Sequence, residues 1–403
     1  MPTFYDRFSR SETFYKRFSG CFSRIEAGEA VDARVATTES FLAGPCGRSD
    51  VTTGSTLRTD GGADPDADDA EELTYAETGV DIDASEAATA ALVAAAGDAG
   101  SGDYAGLLDI GDRYLALATD GVGTKLLVAE ALGDYSTVGI DCVAMNVNDM
   151  VAAGVRPVAF VDYLAVDEPD ETFSAQVGEG LSAGAEAADI ELVGGETAVM
   201  PEVVRGLDLA GTCAGLAGKD ALFPGEARAG DAVVGFRSSG IHSNGLTLAR
   251  SAATRRHAYT DPYPLSDADE YEDEPDYDSV GAALLEPTRI YSHLLDPMRA
   301  HGVHAAAHIT GGGWTNLTRM GSFRYVIDDP FDAHSVFAFV QREGNVSDEE
   351  MHRTFNMGTG FVCTLPPEDA AALVDATEGR IVGHVEACDD DDAGVSIRGL
   401  ELS

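Results

Sequence analysis

Lysine is nearly missing from this 403-residue chain. Lys16, Lys125 and Lys219 are its three, and arginine supplies every other basic residue. Asp and Glu number 70 against 26 Lys and Arg, a formal net charge of -44. Such a balance disfavours binding to DNA or RNA, whose phosphates it would repel. No apolar run approaches the ~20 residues that a membrane helix needs, and no secretory signal is visible. Six cysteines (Cys21, Cys46, Cys142, Cys213, Cys363, Cys388) form no C-x-x-C pair. In a chain this long they read as free, reduced thiols of a cytoplasmic protein. What the chain does have is an apolar fraction of 44%, enough to bury a core. The acidity is therefore expected to belong to a folded surface suited to high salt, where screening confines self-repulsion to ~3 Å at 1 M. A non-catalytic acidic protein that binds basic partners is the alternative, although its acids are spread along the whole chain.

Three segments are expected. Residues 1–70 contain a near-duplication, F-Y-D-R-F-S at 4–9 and F-Y-K-R-F-S at 14–19, and end in the acidic T-D-G-G-A-D-P-D-A-D-D-A. Phe14, Phe18 and Phe22 recur at helical spacing, which suits a short partner-binding helix. The plainer reading is a disordered tail or a start assigned too far upstream. Residues 71–220 and 221–403 are expected to form two α/β domains joined at the turn-rich F-P-G-E-A-R-A-G-D. Asp83 or Ser85 can cap an alanine-rich helix running to Gly97. Helices are expected over 141–153 and 171–188, strands over 158–161, 190–193 and 232–236, and a helix from Leu246. Gly194-Gly195 reads as a turn. The Gly178/Gly180/Gly184 spacing imitates a dinucleotide fingerprint, but no strand precedes it. The acid run within 261–278 reads as a solvated loop.

Chemistry concentrates in a few loops. T-D-G-V-G-T-K (119–125) follows an apolar strand but is no Walker A loop, since Thr124 stands where a glycine should precede the lysine. A carboxylate beside phosphates is costly unless a divalent cation lies between them, an arrangement Mg²⁺ favours. Asp120 is thus a metal candidate, with Gly121, Gly123, Thr124 and Lys125 toward nucleotide phosphates. In G-I-D-C-V-A-M-N-V-N-D-M (139–150), a helix would set Asp141, Met145, Asn148 and Asp149 within about a quarter turn. Asp141 is the candidate second metal ligand, with a helix cap as the competing reading, and Asn148 lies on the same side. Glu196 follows a strand in G-G-E-T. Ser239, His242, Ser243 and Asn244, in S-S-G-I-H-S-N-G (238–245), precede a helix whose free amides attract anions. Thr310, Gly311 and Gly312 precede another. His301, His304 and His308 lack an H-E-x-x-H pattern and read as structural, the last two on a strand.

These blocks, together with T-Y-A-E-T-G-V-D-I-D (74–83), V-G-G-E-T-A-V-M-P (193–201), L-L-E-P-T-R-I-Y (284–291), H-I-T-G-G-G (308–313) and R-T-F-N-M-G-T-G (353–360), resemble the phosphoribosylformylglycinamidine cyclo-ligase family. They occur in family order from about Leu73 to the C-terminus, here in a haloarchaeal type. The resemblance implies a two-domain α/β (α+β) fold. Its N-terminal domain would pair with a second copy into a dimeric β-barrel, and a C-terminal α/β domain would cover the site. It implies ATP and Mg²⁺, with a monovalent cation left open, and formylglycinamidine ribonucleotide as substrate. Asp120 and Asp141 would hold the magnesium. Gly121, Gly123, Thr124, Lys125 and Asn148 would face ATP. His242 would meet the transferring phosphoryl group beside Ser239 and Asn244, and Glu196, Ser243, Thr310, Gly311 and Gly312 would complete the substrate and phosphate contacts. Family lysines are replaced at Ala76 and at Ala94-Ala95-Ala96, so ATP contacts are not carried over to those positions. The glycine-rich stretch around 100–106 is looser than the family's. Sister enzymes of the superfamily are the competing reading. Formylglycinamidine synthetase usually needs a glutaminase partner. Selenophosphate synthetase normally has a reactive Cys or selenocysteine near its glycine-rich loop, and none lies between Cys46 and Cys142.

Overall fold

Two β-sheets share one long helix between them. The computed structural model describes residues 72–80, 82–96, 104–265, 274–389 and 392–402, all within the unit Asp66–Ser403. The expectations for residues 1–70, and for Cys21 and Cys46, lie outside the described residues.

The chain runs α1 (Ile82–Ala96), β1 (Gly106–Asp109), β2 (Arg113–Gly121), a 3₁₀ turn (Gly123–Lys125), α2 (Leu126–Leu132), α3 (Val138–Ala152), β3 (Arg156–Val166), α4 (Glu171–Ala188), β4 (Glu191–Val199) and β5 (Leu207–Gly218). The second half continues β6 (Ala232–Arg237), α5 (Leu246–Ala253), α6 (Val280–Leu285), α7 (Leu295–Ala300), β7 (Ala305–His308), a 3₁₀ segment (Gly313–Met320), β8 (Arg324–Ile327), α8 (Ser335–Gly344), α9 (Asp348–Thr354), β9 (Thr359–Leu365), α10 (Pro367–Ala376), β10 (Arg380–Glu386), β11 (Gly394–Ile397) and β12 (Leu400–Leu402). The first sheet has the order β1-β2-β5-β3-β4, antiparallel except for β3–β4. The second has the order β12-β11-β8-β10-β6-β9-β7, antiparallel except for β8–β11. The α/β class expected from the sequence is observed.

Local chemistry explains several boundaries. Asp170 starts α4 because its Oδ1 accepts the amides of Thr172 and Phe173 at 2.8 and 3.0 Å, satisfying donors a helix leaves open. Gly180 and Gly184 lie on the face of α4 that meets α3. A Cβ on Gly139 would stand 2.2 Å from the Leu181 amide, and one on Gly180 2.6 Å from the Ser136 carbonyl. The imitation fingerprint is thus a close helix crossing. Two expectations shift. α1 begins at Ile82, so Asp83 and Ser85 fall in its first turn rather than at its cap. Gly194-Gly195 is not a turn: β4 continues through it to Val199, paired to β3.

The main core packs Val143, Val147, Met150 and Val151 of α3 against Phe160, Leu164, Leu209 and Cys213, and continues to Phe236, Leu248, Tyr291, Phe337 and Phe361. A second cluster, with Trp314, Leu317, Tyr325 and Ile327, fills the far side of the second sheet. Only one face of the first sheet is covered. On the other, Leu108, Leu117, Val161 and Tyr163 are exposed, at 59%, 49%, 38% and 43%. Among the described residues no helix is long and apolar enough to cross a membrane, and the four described cysteines are free.

Candidate active site

Asp120 sits near the end of β2, where the strand enters the glycine loop. Its Oδ1 accepts the Gly121 amide at 2.7 Å, and Asn146 Nδ2 of α3 donates to its carbonyl at 3.2 Å. Burial, and next the nearby charge of Asp149, push its carboxyl up to about 6, against smaller opposing effects from Gly121 and His308. A neighbouring negative charge in a partly dry site disfavours ionisation of a carboxyl.

Asp149, on the helix face of the metal candidate Asp141, is the carboxylate whose charge acts on Asp120. Asp141 itself, expected as the second metal ligand, pairs with Lys125. Asp141 and Asp149 are eight residues apart on α3, about 12 Å along the axis, so angular proximity on the helix face was not proximity in space. Asp149 Oδ1 lies 3.2 Å from His308 Nδ1, and His308 Nε2 lies 3.3 Å from Asn148 Nδ2. A carboxylate on one side and an amide donor on the other assign the ring proton to Nδ1. His308 is on a strand as expected, but it belongs to this site. His304, by contrast, pairs with buried Asp231 at 2.8 Å, away from these loops.

Lys125 and Asp141 meet each other instead of ligands. Both side chains are fully buried, with Nζ 2.9 Å from Oδ1 and 2.8 Å from Oδ2. Nζ also donates to the Glu286 carbonyl at 2.6 Å, and Asp141 Oδ1 accepts Thr288 N and Oγ1 at 2.8 and 2.6 Å. With two donors on Asp141 Oδ1 and the Glu286 carbonyl, the buried ammonium serves in this structure as an internal tether. Asn148 is likewise a tether. Its amide donates to the Arg289 carbonyl at 2.8 Å and its Oδ1 accepts Tyr291 N at 2.9 Å. Along one helix face, Asp141 and Asn148 pin the segment 286–291 of the second half onto α3. This explains why L-L-E-P-T-R-I-Y carries a polar pattern in a buried place.

The remaining loops are linked to the glycine loop and to α3. Thr124 Oγ1 and Thr247 Oγ1 are 3.1 Å apart, joining the glycine loop to the start of α5. Asn244 Nδ2 reaches Met145 Sδ of α3 at 3.8 Å, and a Cβ on Gly311 would stand 3.3 Å from Asn244 Oδ1. Gly312 takes φ +95 at the turn into the 3₁₀ segment, where Asn316 Nδ2 donates to the carbonyls of Gly311 and Gly313. Gly123 is exposed at the mouth of the loop, while Gly121 and Thr310 are half-buried.

His242 has the left-handed φ of +66 and is 1% exposed. Its Nε2 accepts the Ser239 amide at 3.2 Å, and Ser239 Oγ donates to the Pro287 carbonyl at 2.6 Å. Burial first, and then nearby positive charge such as that of Lys125, push its pKa well below the ordinary histidine value. The ring is a neutral donor or acceptor in this arrangement. Its Nδ1 has no hydrogen-bond partner, and neither do the buried Oγ atoms of Ser238 and Ser243 or Oδ1 of Asn316. Buried polar atoms left unmatched are costly, and a polar ligand at these loops would meet them.

Glu196 does not join the group. In β4 it pairs with Tyr163. It is exposed on the face that carries Leu117 and Val161, opposite the Asp120 side chain. Strand alternation decides this, because neighbouring residues point to opposite faces.

No three His, Cys, Asp or Glu side chains converge on one point among the described residues. One or two carboxylates, with the remaining positions left to water and phosphate oxygens, suit Mg²⁺.

Two family models match the chain: AIR synthase related protein, N-terminal domain, over residues 102–217, and its C-terminal domain over residues 228–396. The phosphoribosylformylglycinamidine cyclo-ligase of Methanosarcina barkeri is 46% identical over 341 residues, covering 82% of this chain and 98% of the relative. That of Thermococcus gammatolerans is 46% identical over 316 residues, covering 74% and 89%. Thiamine monophosphate kinase from Aquifex aeolicus superposes with a TM-score of 0.53 at 17% identity, covering 79% of this chain and 98% of that one, a likeness of fold alone. The two matched domains and the identity to these relatives over most of the chain place it in the phosphoribosylformylglycinamidine cyclo-ligase family.

Proposed function

We propose that the chain closes the imidazole ring of 5-aminoimidazole ribonucleotide from formylglycinamidine ribonucleotide, using ATP and releasing ADP and phosphate. The formyl amide oxygen attacks the γ-phosphorus and ADP departs with the bridging oxygen. The resulting iminophosphate has turned a poor leaving oxygen into phosphate. A substrate nitrogen then attacks the same carbon, loses its proton and expels phosphate. Chemistry of this kind asks mainly for positioning and for neutralisation of charge.

The observation that carries the reading is Asp120 at the end of β2, where the glycine loop begins, its carboxyl raised by burial and by the charge of Asp149, in a chain that matches cyclo-ligases over nearly their full length. Asp120 and Asp149 would hold Mg²⁺, which supplies charge for the phosphate oxygens of bound nucleotide. His308 holds Asp149 from behind at 3.2 Å. Backbone amides of Gly123, Thr124 and the 310–312 loop are the donors we assign to phosphate, since those of Gly121 and Val122 are taken by Asp120 Oδ1 and the Leu209 carbonyl. His242 Nδ1 and Ser243 Oγ, without partners in the protein, are the donors we assign to the transferring phosphoryl group or the substrate phosphate. Lys125 and Asn148 contribute by fixing the two halves of the site to each other.

We further propose a cytoplasmic homodimer. The bare apolar face of the first sheet, with Leu108, Leu117, Val161 and Tyr163, supports pairing with a second copy, since contiguous exposed apolar surface marks an interaction site. Glu196 lies on that face.

The test is purified protein with ATP, MgCl₂ and formylglycinamidine ribonucleotide in molar KCl. Aminoimidazole ribonucleotide and ADP are expected in equal amounts without glutamine or ammonia. Folded protein that yields no product would overturn the assignment, and a requirement for glutamine or ammonia would move it to the sister synthetase.

A further inference from the structure

The acid run within 261–278 reads from sequence as solvent-facing, yet one of its carboxylates is buried. Glu274 has a side chain 7% exposed, 3.3 Å from Nδ1 of the equally buried His334. Its oxygens also accept Ser335 N, at 3.1 Å, and Ser335 Oγ, at 2.7 Å, where α8 begins. The other nitrogen of His334, Nε2, lies 2.9 Å from the Ser238 carbonyl. Ser238 opens the loop 238–245, four residues before His242.

A carbonyl only accepts, so Nε2 must be the donor to Ser238. On the other side of the ring the Glu274 carboxylate faces Nδ1 at 3.3 Å, so one ring lies between two oxygens and Glu274 sets its orientation. Burial alone would push the Glu274 carboxyl up. Hydrogen bonds from His334 and Ser335 outweigh it and bring the group below its ordinary range.

The loop needs this anchor. Asn356 Nδ2 holds the carbonyls of Gly240 and Ile241, at 2.9 and 3.2 Å, and the Ser238 amide donates to the Gly358 carbonyl at 3.0 Å. The first carbonyl of the loop is held by His334. With it free, the left-handed turn at His242 would lose a fixed entry.

We infer that Glu274 and His334 are positioning residues: Glu274 orients His334, and His334 fixes the Ser238 carbonyl and so the phosphate-facing loop 238–245. The inference rests on the reading of that loop given under Proposed function. Neither residue touches a reacting atom, so their effect reaches the chemistry only through the loop.

Full-length H334L, H334Q, E274A and E274D distinguish this from a simple tether of a surface segment. The assay is ring closure in molar KCl, with the melting midpoint read by circular dichroism. H334L and E274A are expected to lower kcat/KM by about 10-fold, the scale for losing an outer residue that orients a site. H334Q carries an amide donor near the Nε2 position and should recover activity to within about threefold of wild type. Lower melting midpoints with unchanged kcat and KM in H334L and E274A would overturn the inference. If those variants do not fold, E274D decides. It keeps the charge but withdraws it by one methylene, and an activity equal to wild type would overturn the inference. Loss of activity in D120N with none in H334L or E274D refutes only this inference. Full activity in D120N refutes the reading of the site itself.

Discussion

Asp120→Asn should make the metal-free protein more stable and nearly inactive. In the folded chain the Asp120 carboxyl is pushed up to about 6, from an ordinary value of 3.8, first by burial and then by Asp149. A raised carboxyl contributes its full stability below the unfolded value and loses it as pH rises through the folded one. The deficit therefore opens between about pH 4 and 6 and is complete above that window. Each pH unit corresponds to about 1.4 kcal/mol, so an ionised Asp120 costs the fold roughly 2–3 kcal/mol at pH 8. Asparagine removes that charge and keeps an oxygen for the Gly121 amide. At pH 8 with chelator, D120N should melt several degrees above wild type, and the gap should close near pH 4. Added Mg²⁺ should raise the wild-type midpoint by mass action and leave D120N unmoved. Turnover in the variant should fall by roughly 10²-fold or more, the scale for losing one electrostatic stabiliser. The assay is calorimetry across pH 4–8, with and without MgCl₂, alongside ring closure. A D120N melting below wild type at pH 8, or responding equally to Mg²⁺, would refute the reasoning.

Two further substitutions test the corrected roles. Lys125→Met leaves the fully buried Asp141 without its cation and should cost about 3–5 kcal/mol, read by denaturant unfolding in KCl. If Lys125 faced phosphate in solution, stability would hold and KM for ATP would rise instead. Leu117→Glu places a charge on the bare sheet face, where Leu117 is 49% exposed. It should shift sedimentation from dimer to monomer, and a wild-type protein that sediments as a monomer at micromolar concentration would remove the dimer proposal.

Most elements were legible because their signals are local. Asp170 caps α4, Leu246 opens α5 after a glycine, and the apolar runs at 158–161 and 232–236 lie inside β3 and β6. A strand through Gly194-Gly195 was less legible, since two glycines ordinarily break one, and pairing with β3 overrides that preference. The loops of the site were legible as loops. Their partners were not, because spacing along one helix or strand reports direction about that element and says nothing of what another element brings to it.

By itself, then, the sequence determined the family, the order of the elements and the identity of the phosphate-suited loops, through motifs whose meaning is carried by neighbouring residues. Tertiary structure alone decided that the charge of Asp149, not of Asp141, acts on Asp120, and that His308 meets Asp149. It also placed Lys125 in an internal ion pair, and it buried Glu274 of the acid run beside His334. Each of these outcomes is a distance between side chains far apart in the chain. Packing of the two sheets around α3 sets such distances, and no local pattern encodes them.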